Sequence, residues 1–371
     1  MVKIKKVNYL DFPKEYRKRG GLYRKAFDRV MRSGTYVLGS EVALFEKEFA
    51  KYLGVNYAVG VANGLEALQI SLMSLGVGSG DEVITTPLSA VATTLAIMAV
   101  GATPVFVDIK ENGQLNENLI EGAITQKTKA IIPVHLYGQP CEIGKIKAIC
   151  KKHGVYLVED ACQAHGTTYK SRKAGVYGDL GCFSFYPTKN LGAIGDGGAI
   201  VTNSKKYYEV IKQIRDYGQE SKYKHARYGL NSRLDELQAA ILREKLKFLD
   251  KDNKKKRLLA GRYIKKLKKL KGLEIVLPED INDSNFHLLV IKTKKRNELK
   301  EFLAKNGIPS LIHYPISIPD QPMFDGIYKN LKISTSREFV SQILSLPCHP
   351  FMEIQEVDRV AECVSSLFKN D

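Results

Sequence analysis

The chain carries the sequence FSFYPTKNLG at residues 183–192 and GDGG at residues 195–198. Lys189 follows a short apolar and hydroxyl-bearing run and enters a glycine-rich turn. A lysine in water is protonated and a poor nucleophile, but burial or a nearby cation lowers its pKa and lets the amine attack a carbonyl. In proteins that carbonyl is commonly the aldehyde of pyridoxal phosphate, whose pyridine nitrogen has an acidic partner. A surface lysine in a turn is the plain alternative, so the rest of the chain must supply the acidic partner and a phosphate cradle.

An acidic partner is available in Asp160, which closes the apolar run YLVED at residues 156–160. A carboxylate at the end of a parallel strand lies at the edge where ligands bind. There it would keep a pyridine nitrogen protonated, and the ring would then accept electrons. A helix N-cap explains Asp160 equally well. Gln163 could reach the cofactor's phenolic oxygen or make only a local turn hydrogen bond, and His165 could stack on a ring, although a structural role is favoured.

A phosphate cradle is indicated at Gly64, where a predicted strand over residues 57–61 gives way to a predicted helix over residues 66–75. Glycine at such a junction lets backbone amides approach a phosphate, and the helix N-terminus adds partial positive charge. Ser184, five residues before Lys189, could add a hydroxyl. Many strand-to-helix turns carry glycine, so this feature alone indicates little.

Composition fits a large globular protein. The chain has 371 residues, of which 44% are hydrophobic, enough for a large domain and a smaller one. The net charge of +17 favours anionic ligands. Much of that charge falls on a lysine-rich helical pattern over residues 251–271, which is typical of a solvated helix face. Without a nucleic-acid-binding motif, we expect no nucleic-acid partner.

The six cysteines lack CxxC or metal-ligand spacing, which predicts reduced thiols, a cytoplasmic protein and no metal. Residues 1–6 are followed by no apolar segment, so no signal peptide is expected. The uncharged stretch at residues 87–107 contains serine, threonine, glycine and proline, which favours a helix, a turn and a buried strand over a membrane span.

Short apolar runs alternate with helix-length segments along the first half of the chain, which predicts a mainly parallel sheet covered on both faces. The domain boundary is predicted near residue 250. It divides the chain into a large domain over residues 1–250 and a small C-terminal domain over residues 251–371. The predicted strands are residues 57–61, 82–84, 104–108, 130–134, 156–160 and 288–291. The predicted helices cover residues 66–75, 91–100, 143–152, 299–305 and 354–367, with helical periodicity from about 233 to 270.

Several strings, in this order, closely resemble the DegT/DnrJ/EryC1/StrS family of pyridoxal-phosphate-dependent sugar aminotransferases. They are GDEV at residues 80–83, TKAIIPVHLYG at 128–138, EDACQAHG at 159–166, FSFYPTKNLGA at 183–193, GDGG at 195–198 and NSRLDELQAA at 231–240. The resemblance implies the α/β fold of the aspartate aminotransferase superfamily, fold type I. This fold has a large domain with a mostly parallel sheet flanked by helices, and a smaller C-terminal α+β domain.

The resemblance also implies roles for individual residues. Lys189 would bond covalently to pyridoxal phosphate and carry protons, Asp160 would pair with the pyridine nitrogen and Gln163 would contact the ring oxygen. The phosphate would be held by Ser184 and by the backbone at Gly64 and Leu65. Asn231 would reach the phosphate of the other subunit, so the active unit would be a homodimer. Arg233, His313 and Tyr314 are candidates for binding the sugar or the nucleotide diphosphate, with interface or core packing as the alternative.

Three positions depart from the family pattern. Leu65 replaces a threonine whose hydroxyl would reach the phosphate. Ala90 replaces an aromatic residue that would stack on the cofactor ring. Tyr217, in the sequence RDYG at residues 215–218, stands where the family commonly has histidine. The sequence Asn-Gly-Leu at residues 63–65 is interpreted as typical of members that act on 3-keto sugars.

The sequence therefore predicts an aminotransferase that moves an amino group from an amino acid, L-glutamate, to a keto group of a nucleotide-linked deoxysugar, 3-keto favoured over 4-keto. An aminotransferase for a cyclitol or another cyclic ketone stays open. A sugar 3-dehydratase of the same superfamily is disfavoured because that branch has histidine where this chain has Lys189. A non-enzymatic sensor or nucleic-acid-binding protein on the same fold is disfavoured because Asp160, Gln163, Ser184 and Lys189 occur together.

Overall fold

The computed structural model describes residues 7–368. The expectation that no signal peptide is present rests on residues 1–6 and lies outside the described residues. The α-helices are α1 (Phe12–Ser33), α2 (Ser40–Leu53), α3 (Gly64–Ser74), α4 (Ala92–Ala99), α5 (Ile143–His153), α6 (Lys205–Ile214), α7 (Glu236–Leu246), α8 (Leu249–Leu267), α9 (Arg296–Lys305), α10 (Ser334–Gln342) and α11 (Ile354–Phe368). The strands are β1 (Tyr57–Val61), β2 (Glu82–Thr85), β3 (Thr103–Phe106), β4 (Thr128–Ile132), β5 (Tyr156–Asp160), β6 (Thr168–Tyr169), β7 (Arg172–Lys173), β8 (Leu180–Ser184), β9 (Gly198–Thr202), β10 (Gln219–Ser221), β11 (Lys224–His225), β12 (Glu274–Ile275), β13 (Leu289–Lys292) and β14 (Ile343–Leu346).

A seven-stranded sheet in the order β1-β9-β8-β5-β4-β2-β3 forms the centre of the molecule. Neighbouring strands from β8 to β3 run parallel, and β9 runs antiparallel to both β1 and β8. Parallel neighbours need crossover connections; α4 lies in the connection from β2 to β3, and α5 in the connection from β4 to β5. The predicted mostly parallel sheet is confirmed.

Both faces of this sheet are buried. Along β2 and β4, adjacent side chains alternate between two hydrophobic clusters: Ile84 and Ile131 belong to one, Val83 and Ala130 to the other. Helices α2, α5 and α7 pack on the first cluster, and α3, α4 and α6 on the second. A sheet buried on both faces requires continuous apolar strands, which is why these strands were readable in the sequence.

A further hydrophobic cluster joins α8, α9 and α11 to the antiparallel sheet β12-β13-β14. Val7 packs into the same cluster. The division of the chain at residue 250 stays a prediction, since α8 begins at Leu249 and runs across that position.

The two N-terminal helices were not predicted. The Asp11 side chain accepts a hydrogen bond from the Lys14 backbone N–H at 2.8 Å and caps α1, which ends at Gly34 in a left-handed conformation (φ 65°). At the start of α2, three backbone N–H groups donate to the buried carboxylate of Glu236 on α7, at 2.8–2.9 Å. These groups have no partner inside their own helix, so Glu236 fixes α2 against α7.

The uncharged stretch at residues 87–107 forms α4 and β3, as predicted. No helix among residues 7–368 is long and apolar enough to cross a bilayer.

Candidate active site

Asp160 lies at the carboxyl end of β5, in the middle of the central sheet, and is 4% exposed. Its Oδ2 accepts a hydrogen bond from Thr93 Oγ1 at 2.7 Å, and its Oδ1 accepts one from the Cys162 backbone N–H at 3.1 Å. The carboxylate faces a cavity of about 250 Å³. Asp160 precedes a turn and caps no helix, so the alternative of a helix N-cap is not what the structure has.

The neighbouring Glu159 holds this end of β5 in place. Its fully buried carboxylate accepts hydrogen bonds from the backbone N–H groups of Gly175, Tyr177 and Gly178, and His135 Nε2 lies 2.9 Å away. Four contacts leave this carboxylate little freedom. Asp160 is therefore presented to the cavity from a rigid strand.

Lys189 lines the same cavity as Asp160. It follows β8 in a turn closed by a hydrogen bond from its own backbone N–H to the Tyr186 carbonyl at 2.9 Å. The side chain keeps some contact with the cavity, yet protein surrounds the amine on most sides. Burial lowers the pKa of this amine below its ordinary value, although Cys162 and Asp160 oppose the shift. A lowered pKa raises the fraction of neutral, nucleophilic amine at neutral pH.

The side-chain amide of Gln163 is held at both ends. Its Oε1 accepts from the Tyr137 backbone N–H at 2.7 Å, and its Nε2 donates to the Tyr314 hydroxyl at 3.2 Å. A backbone N–H can only donate, so the amide orientation is fixed. The second N–H of Nε2 stays available to an acceptor in the cavity that Gln163 also lines.

At the N-terminus of α3, Gly64 and Leu65 line the cavity beside Ser184. The Asn63 side chain caps the helix by accepting from the Glu66 N–H at 2.9 Å. The first N–H groups of a helix have no intrahelical partners, so those of Gly64 and Leu65 can bind an anion. A Cβ at Gly64 would lie 2.7 Å from Ser184 Cβ and 2.9 Å from Cys162 Sγ, so only glycine fits this approach.

These features fit pyridoxal phosphate. One cavity brings together an amine of lowered pKa, a buried carboxylate, an oriented amide donor and a helix N-terminus with a hydroxyl. The two unusual residues, Leu65 and Ala90, line the cavity too. Leu65 has no hydroxyl to offer a phosphate, and Ala90 presents only a methyl group where the family pattern has an aromatic ring.

His165 does not line this cavity. Its buried ring packs against Phe183 and Phe185, with centroids 5.5 and 5.8 Å away. Burial and the nearby Lys189 lower the pKa of this imidazole to about 3, so it is neutral at pH 7. The favoured structural role agrees with this position behind β8.

A second cavity, of about 240 Å³, shares Lys189 and Tyr186 with the first and includes His313 and Tyr314. His313 Nδ1 lies 2.9 Å from Ser345 Oγ, and the His313 carbonyl accepts from the Tyr137 hydroxyl. Burial and the nearby Lys189 lower the pKa of the His313 imidazole to about 4. His313 and Tyr314 thus share a cavity with Lys189.

Asn231 and Arg233 are not brought to this site. Asn231 is exposed and pairs with Asp216 through a backbone bridge. Arg233 donates to Asp216 Oδ1 at 3.2 Å, and its guanidinium lies 5.6 Å from the ring centre of Tyr217. Tyr217, which replaces a histidine of the family pattern, is itself exposed and lines neither cavity.

Sequence reasoning missed Thr93 and Tyr137 as supports of Asp160 and Gln163. Thr93 lies in the uncharged stretch at residues 87–107, and Tyr137 lies in the family-like string at residues 128–138. Neither residue was expected to contact a site residue, because Thr93 is 67 residues from Asp160 and Tyr137 is 26 residues from Gln163 in the sequence. Among residues 7–368, no three His, Cys, Asp or Glu side chains are grouped so as to hold a metal ion.

Comparison with known proteins agrees with this geometry. Residues 20–365 match the DegT/DnrJ/EryC1/StrS aminotransferase family. The chain is 41% identical to dTDP-3-amino-3,4,6-trideoxy-alpha-D-glucose transaminase of Streptomyces venezuelae, over 97% of this chain and 95% of that one. It is 44% identical to dTDP-3-amino-3,6-dideoxy-alpha-D-galactopyranose transaminase of Aneurinibacillus thermoaerophilus, over 92% and 94%. The crystal structure of S. venezuelae DesV in complex with a ketimine intermediate superposes with a TM-score of 0.96 at 40% identity, covering 98% and 99%.

The fold and the cavity define a pyridoxal-phosphate-dependent aminotransferase of fold type I. The chain belongs to the DegT/DnrJ/EryC1/StrS aminotransferase family, and the resemblance noted in its sequence is confirmed.

Proposed function

We propose that this aminotransferase moves an amino group from L-glutamate to the keto group of a nucleotide-linked deoxysugar, at carbon 3 rather than carbon 4. The proposal is carried by one observation: Lys189 and Asp160 line the same cavity. Two of the relatives named above are transaminases of dTDP-linked 3-amino sugars, which supports the sugar and the carbon. The net charge of +17 suits an acceptor that carries a diphosphate.

The residues of the larger cavity divide the binding of the cofactor among them. Ser184 and the α3 N-terminus at Gly64 and Leu65 hold the phosphate. Gln163 donates its free N–H to the ring oxygen. Asp160, fixed by Thr93, accepts a hydrogen bond from the protonated pyridine nitrogen. Bound pyridoxal phosphate supplies an aldehyde that condenses with amines and a ring that takes up the electrons released at the α-carbon.

Lys189 has two roles in this scheme. Its neutral amine, favoured by burial, would bond to the cofactor aldehyde, and the same amine, when free, would be a base for the α-proton of the amino acid. Lys189 would carry that proton between the α-carbon and the C4′ carbon of the cofactor. Asp160, held by the hydrogen bond from Thr93, would keep the proton on the pyridine nitrogen of the cofactor.

The active unit proposed here is a homodimer. Asn231 is exposed and lines neither cavity of its own chain, which is the position required of a residue that reaches the phosphate of a partner's cofactor. Arg233 lies on the same segment and would contact the substrate diphosphate in the partner. His313 and Tyr314 would contact the sugar or nucleotide in their own chain.

A cytosolic location stays a prediction, supported by six cysteines that form no disulfide.

Borohydride reduction of the holoenzyme followed by peptide mapping tests the assignment of Lys189. The expected result is cofactor fixed to the peptide that contains Lys189, and none on the peptide that contains Lys256, a buried lysine that lines a further cavity together with Lys189. Lys189→Ala is expected to bind cofactor without turnover. Label on Lys256, or sustained turnover by Lys189→Ala, would contradict the proposed role.

A further inference from the structure

Asn190, the residue after Lys189, lies at the centre of a group of polar side chains. We call Asn190, Asn253, Lys256, Asn285 and His287 the Asn190 cluster. Asn190 Oδ1 accepts from Lys256 Nζ at 3.1 Å, and His287 Nδ1 lies 3.3 Å from the same oxygen. Asn190 Nδ2 donates to Asn253 Oδ1 at 2.8 Å and to the Asn285 carbonyl at 3.0 Å.

These four contacts use the full hydrogen-bonding capacity of the Asn190 carboxamide. Lysine only donates, so Oδ1 must face Lys256 and Nδ2 must face the two asparagines. The backbone at Asn190 therefore has one favoured position. On its other side, the turn between the Lys189 N–H and the Tyr186 carbonyl restrains the chain.

The far side of the cluster reaches the segment that carries Gln163. Asn253 Nδ2 donates to the His165 carbonyl at 2.8 Å. Asn285 Nδ2 donates to the Gln163 and His165 carbonyls at 3.0 and 3.1 Å. The cluster thus links Lys189 and Gln163, which lie on different loops, through α8 and the segment before β13.

The burial of the Lys256 amine in this cluster costs free energy. It is 5% exposed, and its amine donates to Asn190 Oδ1 at 3.1 Å and to the His287 carbonyl at 3.2 Å. Within residues 7–368 it forms no ion pair with a carboxylate. Burial lowers the pKa of the Lys256 amine to about 8. A buried cation without a paired charge is usually less stabilising than an apolar side chain of similar volume, so stability alone does not account for Lys256.

A cavity of about 60 Å³ lies beside this arrangement and is lined by Lys189, Asn190, Asn253 and Lys256. It gives the Lys189 loop space into which it can relax if the hydrogen bonds at Asn190 are lost.

We propose that the Asn190 cluster, with Lys256 as its buried donor, is a positioning unit that fixes the base of the Lys189 side chain relative to Asp160 and Gln163. This inference rests on the proposed role of Lys189. A displacement of about 1 Å at a reacting group can slow a reaction about a hundredfold, so loss of the cluster is expected to act on rate before it acts on binding.

Lys256→Met tests the proposal, because methionine keeps the length of the side chain and removes the donor. Lys254→Met is the matched control, since Lys254 is exposed on the same helix. Two rates are measured: covalent capture of pyridoxal phosphate by each apo variant, followed as growth of the yellow absorbance, and kcat with KM for the amino donor. For Lys256→Met we expect both rates to fall about 10- to 100-fold, with KM unchanged and a melting temperature no lower than that of the wild type.

If both rates of Lys256→Met equal those of Lys254→Met, the proposal is overturned. It is also overturned if Lys256→Met has a lower melting temperature and unchanged rates. If Lys256→Met does not fold, Asn190→Asp is judged by the same criteria, because it keeps the acceptor for Lys256 and loses both donors. Where both single variants fold, the variant that combines Lys256→Met with Asn190→Asp is expected to have rates no lower than those of the slower single variant. Both substitutions disrupt the same hydrogen-bonded cluster, so their effects should not add. Failure of the proposed function would look different, because the wild-type protein would then capture no cofactor.

Discussion

Replacing Asp160 with asparagine keeps the shape of the side chain and removes its charge. The carboxylate is 4% exposed, so the interaction between Asp160 and a protonated pyridine nitrogen is only weakly screened by solvent. Two unit charges about 4 Å apart interact by about 4 kcal/mol at an effective dielectric constant of about 20. At about 1.4 kcal/mol per pKa unit, the pKa of the ring nitrogen would fall by about three units.

The expected consequence is a loss of about a thousandfold in the rate of α-proton removal by Asp160→Asn. The assay is a single turnover with L-glutamate, followed as loss of the yellow absorbance, with α-deuterated glutamate to verify that proton removal is measured. Thr93→Val is the control: it removes the 2.7 Å hydrogen bond to Asp160 and leaves the charge. A hydrogen bond to a charged group contributes about 1.5–3 kcal/mol, so Thr93→Val should lose about 10- to 150-fold. If Asp160→Asn slowed this step no more than Thr93→Val, another group would have to protonate the ring.

Gly64→Ala should weaken the binding of pyridoxal phosphate about a hundredfold in a fluorescence titration, because the new Cβ would lie 2.7 Å from Ser184 Cβ. Gly122→Ala is the control and should bind the cofactor normally, because a Cβ at residue 122 would meet open space. Glu236→Gln should lower the free energy of unfolding in urea by about 2 kcal/mol, because a neutral amide replaces an acceptor of three backbone hydrogen bonds; an unchanged midpoint would argue against that contact. Burial lowers the folded-state pKa of Lys189, and only the neutral amine reacts. Capture of cofactor by the apoprotein should therefore accelerate as pH rises and level off below the ordinary lysine pKa of about 10.4, and a rate still rising above that pH would contradict the shift.

The sheet could be predicted from sequence because its strands are buried on both faces and therefore read as continuous apolar runs. The predicted strand at residues 57–61 and the helix at residues 143–152 agree with β1 and α5 to within one residue. Helices α1 and α2 were missed: α1 is rich in charged residues, and the start of α2 is held by Glu236, nearly two hundred residues away. Contacts over such distances leave no local pattern.

In the candidate site, too, residues in local sequence patterns could be predicted, but residues that act through long-range contacts could not. Asp160, Lys189, Gln163 and Ser184 were found from strings whose spacing is local, and the fold brings all four to one cavity. The residues that orient them come from elsewhere in the chain. Lys256 is one lysine in a lysine-rich helix, and nothing in the sequence distinguishes it from the solvated lysines around it.

Leu65 and Ala90 leave a cavity with no hydroxyl at residue 65 and no aromatic side chain at residue 90. In the proposed phosphate site, the backbone at Gly64 would then make more of the phosphate contact than in relatives that have a threonine hydroxyl. Tyr186 lines both of the cavities described above together with Lys189, and Tyr314 lines the second of them.

A half-reaction panel tests directly whether the amino group is transferred to carbon 3 of a nucleotide-linked sugar. The holoenzyme is loaded with an amino group from L-glutamate and freed of excess donor. It is then mixed with matched 3-keto and 4-keto nucleotide sugars while the absorbance of the starting form is followed. We expect the 3-keto sugar to restore the starting absorbance and to yield the amino sugar, and the 4-keto sugar to do so far more slowly or not at all. Recovery with the 4-keto sugar alone would contradict the assigned carbon, and recovery with neither sugar would contradict amino transfer to a nucleotide-linked sugar.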